Sequence, residues 1–529
     1  MTPTRTGVRT RASNRRTSSS ARRRVAIAMA AALVWATFEA GVGSEVLNGG
    51  GWPSFWRFWR AVISPELSVE FLRLTADAAL TTLGFAVLGT ALSLLLGAGG
   101  ALLTSELVAG TGAWQRWWRA VMVIPRAVHE VLWALLLIQV LGFDPLVAVI
   151  AIGVPFGAVT TKVFAETIDE ADRAPYHALR ACGAGRLSAL AYGVLPNIAG
   201  ELTSYAFYRF ECAIRSAAVL GVIGAGGLGF QLDLSFESLR YREIWTLVAA
   251  LMLLSGLADW WSARVRTSTV TSNRYSVLAA VGLIPFSWWI VDLSVSSLWS
   301  GRTPRLAADL VADLFPPTTG PGGLGELIDA SLATVAMSVL SVAIAAGGAL
   351  LLGAAAARSR FTTSRRTLRS SLVAPAARLT LLLFRAVPAP VWAFLFVLVL
   401  YPGTWPGAVA LGVYNLGVVG RLFAETFEEA DPHPARRIRA SGAPDTSAFL
   451  YGTLPVAAPR LASLTLYRWE VMTRETVVVG VVGAGGLGQL INEHLAARDF
   501  AAVAGALMAM VVIAVVIDGA SSVIRRALR

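Results

Sequence analysis

Two short clusters of charged and aromatic residues lie inside apolar stretches of the chain. The first is YRFECAIR, carrying Tyr208, Arg209, Glu211 and Arg215; the second is YRWEVMTR, carrying Tyr467, Arg468, Glu470 and Arg474. On a helix, Tyr208, Glu211 and Arg215 share one face at i, i+3 and i+7, and Glu211 can pair with Arg215 at i, i+4. The second cluster repeats that spacing. Ionisable groups inside an apolar span are costly and are candidates for function by default. Two chemistries fit. One is an internal ion-pair network that fixes helix packing. The other is an electropositive path for an oxyanion with Arg209 and Arg468 as surplus donors, since the guanidinium fork matches phosphate or phosphonate oxygens. Arg209 lies ~20 Å along a helix from Pro196 at 1.5 Å per residue, near the middle of a bilayer. Glu475 stands where the first cluster has Ser216, so the second cluster is neutral on paper.

Each cluster belongs to a longer repeat. Residues 166–229 match residues 425–488 without a gap: Gly183 answers Gly442, Pro196 answers Pro455 and Arg215 answers Arg474, all at an offset of 259. Each copy opens on a polar stretch, ETIDEADRAPYHALRACGAGRL or ETFEEADPHPARRIRASGAPDT. It runs through YGVLP or YGTLP into the charged segment and closes on GAGGLG. Upstream, RAVHEVLWA at 126–134 matches RAVPAPVWA at 385–393, and DAALTTLGFAVL at 77–88 matches DASLATVAMSVL at 329–340. An ungapped repeat of this length means two copies of one structural unit.

The elements that must carry these residues are membrane helices. The hydrophobic fraction is 55% and the mean hydropathy is +0.62, far above a soluble globular chain. Continuous apolar runs long enough to cross a bilayer recur, and only helices or closed barrels can do so. Spans are expected near 25–42, 75–103, 120–141, 146–165, 197–223 and 243–262. A second set is expected near 276–295, 328–356, 379–400, 406–424, 456–482 and 500–518. The expected fold is an all-α polytopic membrane protein of about 12 transmembrane helices in two parallel six-helix repeats. Its divisions are a disordered Arg-rich tail (1–24), a first repeat (25–262), a basic cytoplasmic linker (263–275) and a second repeat (276–529). GWPSFWRFWRAVI at 51–63 reads as an interfacial helix on the outer surface, with Trp52, Trp56 and Trp59 near one face.

The net charge of +12 reports topology rather than nucleic-acid binding, because the arginines sit between spans and in the N-terminal tail. Arg116, Arg119, Arg264, Arg266, Arg274 and the cluster from Arg358 to Arg369 mark cytoplasmic segments. Both polar loops, 166–190 and 425–449, and both termini are therefore expected inside. Arg126 and Arg385 read as snorkelling anchors. His129 and His494 read as ordinary polar contacts. The two cysteines and four histidines form neither a disulfide framework nor a metal site. Lys162 is the sole lysine and no Gly-rich loop precedes it, so the chain has no phosphate cradle for ATP. GAGGLG satisfies G-x-G-x-x-G, but no strand or βαβ unit surrounds it. It is read as a site of close helix packing and a break.

Together these motifs resemble a family. An acidic-Ala stretch (Glu166, Glu170, Ala171; Glu425, Glu429, Ala430) is followed by a glycine (Gly183; Gly442). About a dozen residues further on comes Leu-Pro (Leu195, Pro196; Leu454, Pro455). This is similar to the EAA loop of ATP-binding cassette importer permeases. With Y-G-x-L-P, Y-R-[FW]-E-x-x-x-R and G-A-G-G-L-G, it resembles the phosphonate-uptake permeases in particular, two units being fused here. The resemblance implies the type I importer fold in an inner membrane and a translocation path for phosphonate or a related oxyanion. It also implies two ATPase subunits docked on the loops and an extracytoplasmic solute-binding protein. ATP and Mg²⁺ would be used by those partners, with no cofactor on this chain and no catalysis by it. His177 and Arg436 stand where that family usually has Glu. The nearby acids, including Asp169, Asp172, Glu428 and Asp431, are left to meet basic groups on an ATPase. The competing class is an ion-gradient-driven secondary transporter, which would be expected to show broken helices at the midplane. A structural scaffold is a third reading, and it leaves the buried charges unexplained.

Overall fold

The computed structural model describes Arg24 and residues 27–41, 46–267, 270–357 and 368–528. The expected tail, most of the Arg358–Arg369 cluster and Arg529 lie outside the described residues. Among the described residues the chain is helical, and the one β-type contact is an antiparallel bridge between Leu47 and Leu400.

Among the described residues, seven helices are long and apolar enough to span a bilayer, or up to eleven when each sharply bent pair is one span. The expected twelfth, at 25–42, is α1 (Ile27–Glu39) as described. At 1.5 Å per residue, α1 covers only ~20 Å of a ~30 Å hydrocarbon core. Helix α2 (Trp52–Arg60) is the expected aromatic helix, with Trp52 and Trp56 exposed.

By packing the chain divides into two compact units, 53–317 and 318–529, the latter joined by the residues up to Trp52. The unit 53–317 is built on α3 (Val69–Thr104). The polypeptide then runs through α4 (Ala113–Ala127), α5 (Glu130–Leu141) and α6 (Pro145–Glu170). A short loop helix α7 (Ala174–Ala181) leads into α8 (Leu195–Leu220). The unit is completed by α9 (Gly227–Glu237), α10 (Tyr241–Thr267) and α11 (Val270–Val291). Within 263–275, residues 263–267 and 270–275 are helical, at the ends of α10 and α11. Helix α12 (Thr303–Asp313) was not foreseen.

The other unit repeats the order with α13 (Gly323–Ala356), α14 (Leu368–Ala386), α15 (Ala389–Val399) and α16 (Thr404–Glu429). The loop helix α17 (His433–Ala440), α18 (Leu454–Val479), α19 (Gly486–Ala496) and α20 (Phe500–Leu528) follow. In both units the longest helix is pressed against the helix that precedes the loop. Small residues make that approach possible: a Cβ on Gly153 would strike the Leu92 side chain, and one on Gly412 would meet Ile344 at 2.8 Å. Close backbone approach through small residues is how membrane helices associate without a hydrophobic driving force.

Two expected straight spans are broken. Helices α4 and α5 meet at 86°, and the corresponding pair of α14 and α15 at 94°. Helix α8 turns by 54° into α9, and α18 by 60° into α19. The last two bends are the GAGGLG segments. Gly224, Gly226 and Gly227, and Gly483, Gly485 and Gly486, all have positive φ, a region L-residues avoid. The Thr82 hydroxyl accepts from Leu228 N at 2.8 Å, and Thr334 accepts from Leu487 N at 2.9 Å. The bend is therefore bolted to the long helix of its own unit, which agrees with the packing-and-break reading.

Candidate functional site

The polar loops are built alike. Glu166 and Glu170 lie not in a loop but on the last turns of α6, and Glu425 and Glu429 on those of α16. The chain then breaks. Asp172 Oδ1 accepts from Ala174 N at 3.0 Å, and its counterpart Asp431 accepts from His433 N at 3.0 Å. Each carboxylate starts a loop helix by satisfying an orphan donor. Gly183 (φ +88°) and Gly442 (φ +85°) end those helices. A Cβ at either would meet nothing within 4 Å, so these glycines are needed for handedness rather than for space.

Space is what the glycine of Y-G-x-L-P supplies. A Cβ on Gly193 would lie 3.1 Å from the Pro175 carbonyl carbon, and one on Gly452 would lie 2.6 Å from Ala435 Cα. Each loop helix thus rests directly on the backbone that leads into the next long helix. A five-residue π-helix, 190–194 or 449–453, precedes each Leu-Pro. Proline has no N–H and its ring crowds the carbonyl four residues back, so the turn before Pro196 and Pro455 widens.

A second fastening was missed at the sequence level. Arg119 Nε donates to the Thr104 carbonyl at 2.9 Å, and its Nη2 lies 3.4 Å from Asp169 Oδ2. Arg378 Nε donates to the Ala356 carbonyl at 2.9 Å, and its Nη2 lies 2.6 Å from Glu428 Oε1. In each unit one arginine ties the end of the longest helix to the acid before the loop. Asp169 also accepts from Ser105 Oγ at 2.6 Å and from the N–H groups of Glu106 and Leu107 at 3.0 Å. Asp169 and Glu428 are therefore engaged within their own units. Glu166 remains half-exposed beside Lys162 at 3.8 Å, and Glu425 beside Arg421 at 3.0 Å. Glu429 pairs with Arg460 at 2.6 Å, both exposed. The constant offset between Arg119 and Arg378 was the available signal.

The charge clusters differ between units. Arg209 is 8% exposed. Its Nε donates to Tyr205 Oη at 2.9 Å, and its guanidinium lies 4.4 Å from the centre of the Phe156 ring. Phe156 sits mid-way along α6. Arg215 pairs with Glu211 at 3.3 Å as the i, i+4 spacing implied. Ser216 Oγ donates to Glu130 Oε1 at 2.6 Å, and Glu130 also lies 3.4 Å from His129 Nδ1.

In the other unit Arg468 donates to Asn415 Oδ1 and to Glu475 Oε1 at 3.1 Å. Asn415 Nδ2 closes the triangle on Glu475 Oε2 at 2.7 Å. Glu470 is held by Arg525 of α20 at 2.5 Å, and Arg474 Nε lies 3.5 Å from the Glu470 carbonyl. Tyr208 and Tyr467 are half-exposed, so they are not buried with the carboxylates they share a helix with. Arg385 is 9% exposed, which is inconsistent with a snorkelling anchor. His494 is buried too. Among the described residues no group of three His, Cys, Asp or Glu is arranged to hold a metal.

The sequence matches the family described as binding-protein-dependent transport system inner membrane component, once over residues 97–268 and again over 349–529. The chain belongs to that family. It is 29% identical over 448 residues to the phosphate-import permease protein PhnE of Mycolicibacterium smegmatis, covering 83% of this chain and 82% of that protein. It is 32% identical over 250 residues to the phosphite transport system permease protein PtxC of Stutzerimonas stutzeri, covering 47% of this chain and 87% of that protein. No solved structure matches the chain. Membership makes the chain a multi-pass membrane component of a transport system, not an enzyme. It also weighs against the gradient-driven alternative, so the broken helices seen here do not separate the two classes as expected.

Proposed function

We propose that the chain is the permease of an ATP-binding cassette importer for phosphonate, phosphate, phosphite or a related phosphorus oxyanion. Two cytoplasmic ATPase subunits dock on the loops at 166–190 and 425–449, through Glu166, Glu170, Ala171 and Gly183 and through Glu425, Glu429, Ala430 and Gly442. Leu195-Pro196 and Leu454-Pro455 pass the motion into α8 and α18. ATP and Mg²⁺ reside on those subunits, and an extracytoplasmic binding protein delivers the solute. Both termini are cytoplasmic. The names carried by the similar proteins support the substrate class.

One observation carries the coupling reading. Each loop helix sits on the backbone at Gly193 or Gly452, and the acid before it is tied by Arg119 or Arg378 to the longest helix of its unit. A push on the loop helix is then transmitted as rigid-body movement instead of being absorbed. Exposed apolar side chains beside it, Tyr192 and Leu187 in one unit and Tyr451 and Leu450 in the other, offer a partner something to bury.

The test is reconstitution of the full complex in vesicles, with phosphate, phosphite and methylphosphonate as probes. Gly193→Leu with Gly452→Leu drives the loop helices off their seats. Substrate-stimulated ATP hydrolysis is expected to fall roughly 10-fold or more, the size of a typical coupling free energy, with the ATPase still co-purifying. ATP-independent uptake driven by a proton or sodium gradient, indifferent to these changes, would overturn the reading.

A further inference from the structure

The two repeats carry the same arginine in opposite chemical states. Arg468 is neutralised: Glu475 supplies a carboxylate at 3.1 Å and Asn415 bridges the two. Arg209, at the equivalent position, has Phe156 where the other unit has Asn415 and Ser216 where it has Glu475. Ser216 is turned to Glu130. Among the described residues the groups on Arg209 are the Tyr205 phenol and two aromatic faces, Phe156 at 4.4 Å and Tyr205 at 5.5 Å, and no carboxylate reaches it.

A cation–π contact satisfies the face of a guanidinium but not its edge. With Nε given to Tyr205, the terminal N–H groups of a 92%-buried cation remain uncommitted to any acid. A charge at mid-membrane without a counter-ion is expensive, and an edge of parallel N–H donors is the arrangement that grips a tetrahedral oxyanion bidentately.

We propose that the fused repeats have divided the labour. Arg209 is the oxyanion-binding cation of the path, with Tyr205 and Phe156 holding its fork edge-on. Arg468 is a structural latch whose charge is consumed by Glu475 and Asn415. This rests on the reading that the chain carries a phosphorus oxyanion, and it narrows two candidate cations to one.

The experiment uses the reconstituted complex with radiolabelled phosphate, phosphite and methylphosphonate. Arg209→Gln is expected to lower ATP-dependent uptake about 10- to 100-fold, the value of a charge-assisted hydrogen bond pair. Arg468→Gln combined with Glu475→Gln lowers thermal stability and keeps uptake within a few-fold. The sharpest variant grafts the latch: Phe156→Asn with Ser216→Glu gives Arg209 the neutralising partners of Arg468 and is expected to abolish uptake in an assembled complex. Arg209→Lys retains charge without the fork. It shifts the relative rates for the three anions, which a purely structural arginine would leave unchanged, and it keeps the proposal open to refutation if Arg209→Gln does not assemble. Wild-type uptake with Arg209 variants at wild-type rates and ratios overturns this inference alone, as does transport surviving the latch graft. Absence of ATP-dependent uptake of all three anions by wild-type vesicles overturns the importer reading and this inference with it.

Discussion

Asp169 and Glu166 are three residues apart on α6 and have opposite environments. Asp169 accepts two backbone N–H groups and a serine hydroxyl at the start of 106–109 and faces Arg119; Glu166 reaches only Lys162 at 3.8 Å from a half-exposed position. Asp169→Ala is therefore expected to cost about 1–2 kcal/mol, as for loss of a helix cap, read as a drop in melting temperature of the purified complex. Glu166→Ala should change stability by no more than about 0.5 kcal/mol, leaving the melting temperature near that of wild type, and instead weaken retention of the ATPase. Equal destabilisation by the two would contradict this division. Nothing in the string ETIDEAD distinguishes the two acids; only the tertiary approach of 104–119 does. The same limit applies to the charge clusters. The i, i+4 pair Glu211–Arg215 was legible because both members share one helix. The exchange of a carboxylate between Glu130 and Glu475 was not, because Glu130 reaches Ser216 across 86 positions of sequence.

At the scale of elements, local chemistry explained some breaks and not others. Pro388 begins the turn into α15 with φ −58° and ψ 146°, as a residue that cannot continue a helix should. His129 takes nearly the same values, φ −68° and ψ 147°, at the matching bend without any proline at that position. There the neighbouring helices and the cap that His129 Nδ1 accepts from Val131 N at 3.3 Å hold the break, so periodicity alone reads 120–141 as one straight span. The GAGGLG bends were legible from glycine content, yet their anchor was not. Thr82 and Thr334 are fully or nearly fully buried, and each accepts the first N–H after the bend. Thr82→Val and Thr334→Val preserve shape and leave that N–H unpaired, at an expected cost of about 1–3 kcal/mol each. Thermal unfolding in detergent checks this. The same variants with Ser in place of Val keep the acceptor and should recover most of the loss.

For the whole molecule, the sequence repeat and the packing units do not share boundaries. The repeat breaks near 263–275, but α11, which follows that break, groups with residues 53–317, while the residues before Pro53 group with 318–529. The reason is visible at α3. A Cβ on Gly84 would strike the Val291 side chain of α11, with Ser287 in van der Waals contact beside it. Further along, Val277, Val281 and Ile284 line one wall of an apolar cleft of about 220 Å³, whose other wall is Val87, Leu94, Phe207 and Phe210. A motif reading aligned residues by order along the chain, and order does not say against which helix an apolar face is buried. The consequence can be measured on two purified fragments. A fragment ending at residue 262 keeps the complete first sequence repeat but strips α11 from α3 and bares this wall. Residues 53–317 keep every helix of the packing unit although they cut across the repeat. Detergent replaces lipid around the bared wall without a hydrophobic penalty, so what is lost is packing: the van der Waals contacts of several large α11 side chains with α3. The longer fragment is therefore expected to melt higher in detergent and to resist trypsin longer. A fragment ending at 262 that is as stable as 53–317 would show that α11 is peripheral to the unit, and that the repeat boundary is also the folding boundary.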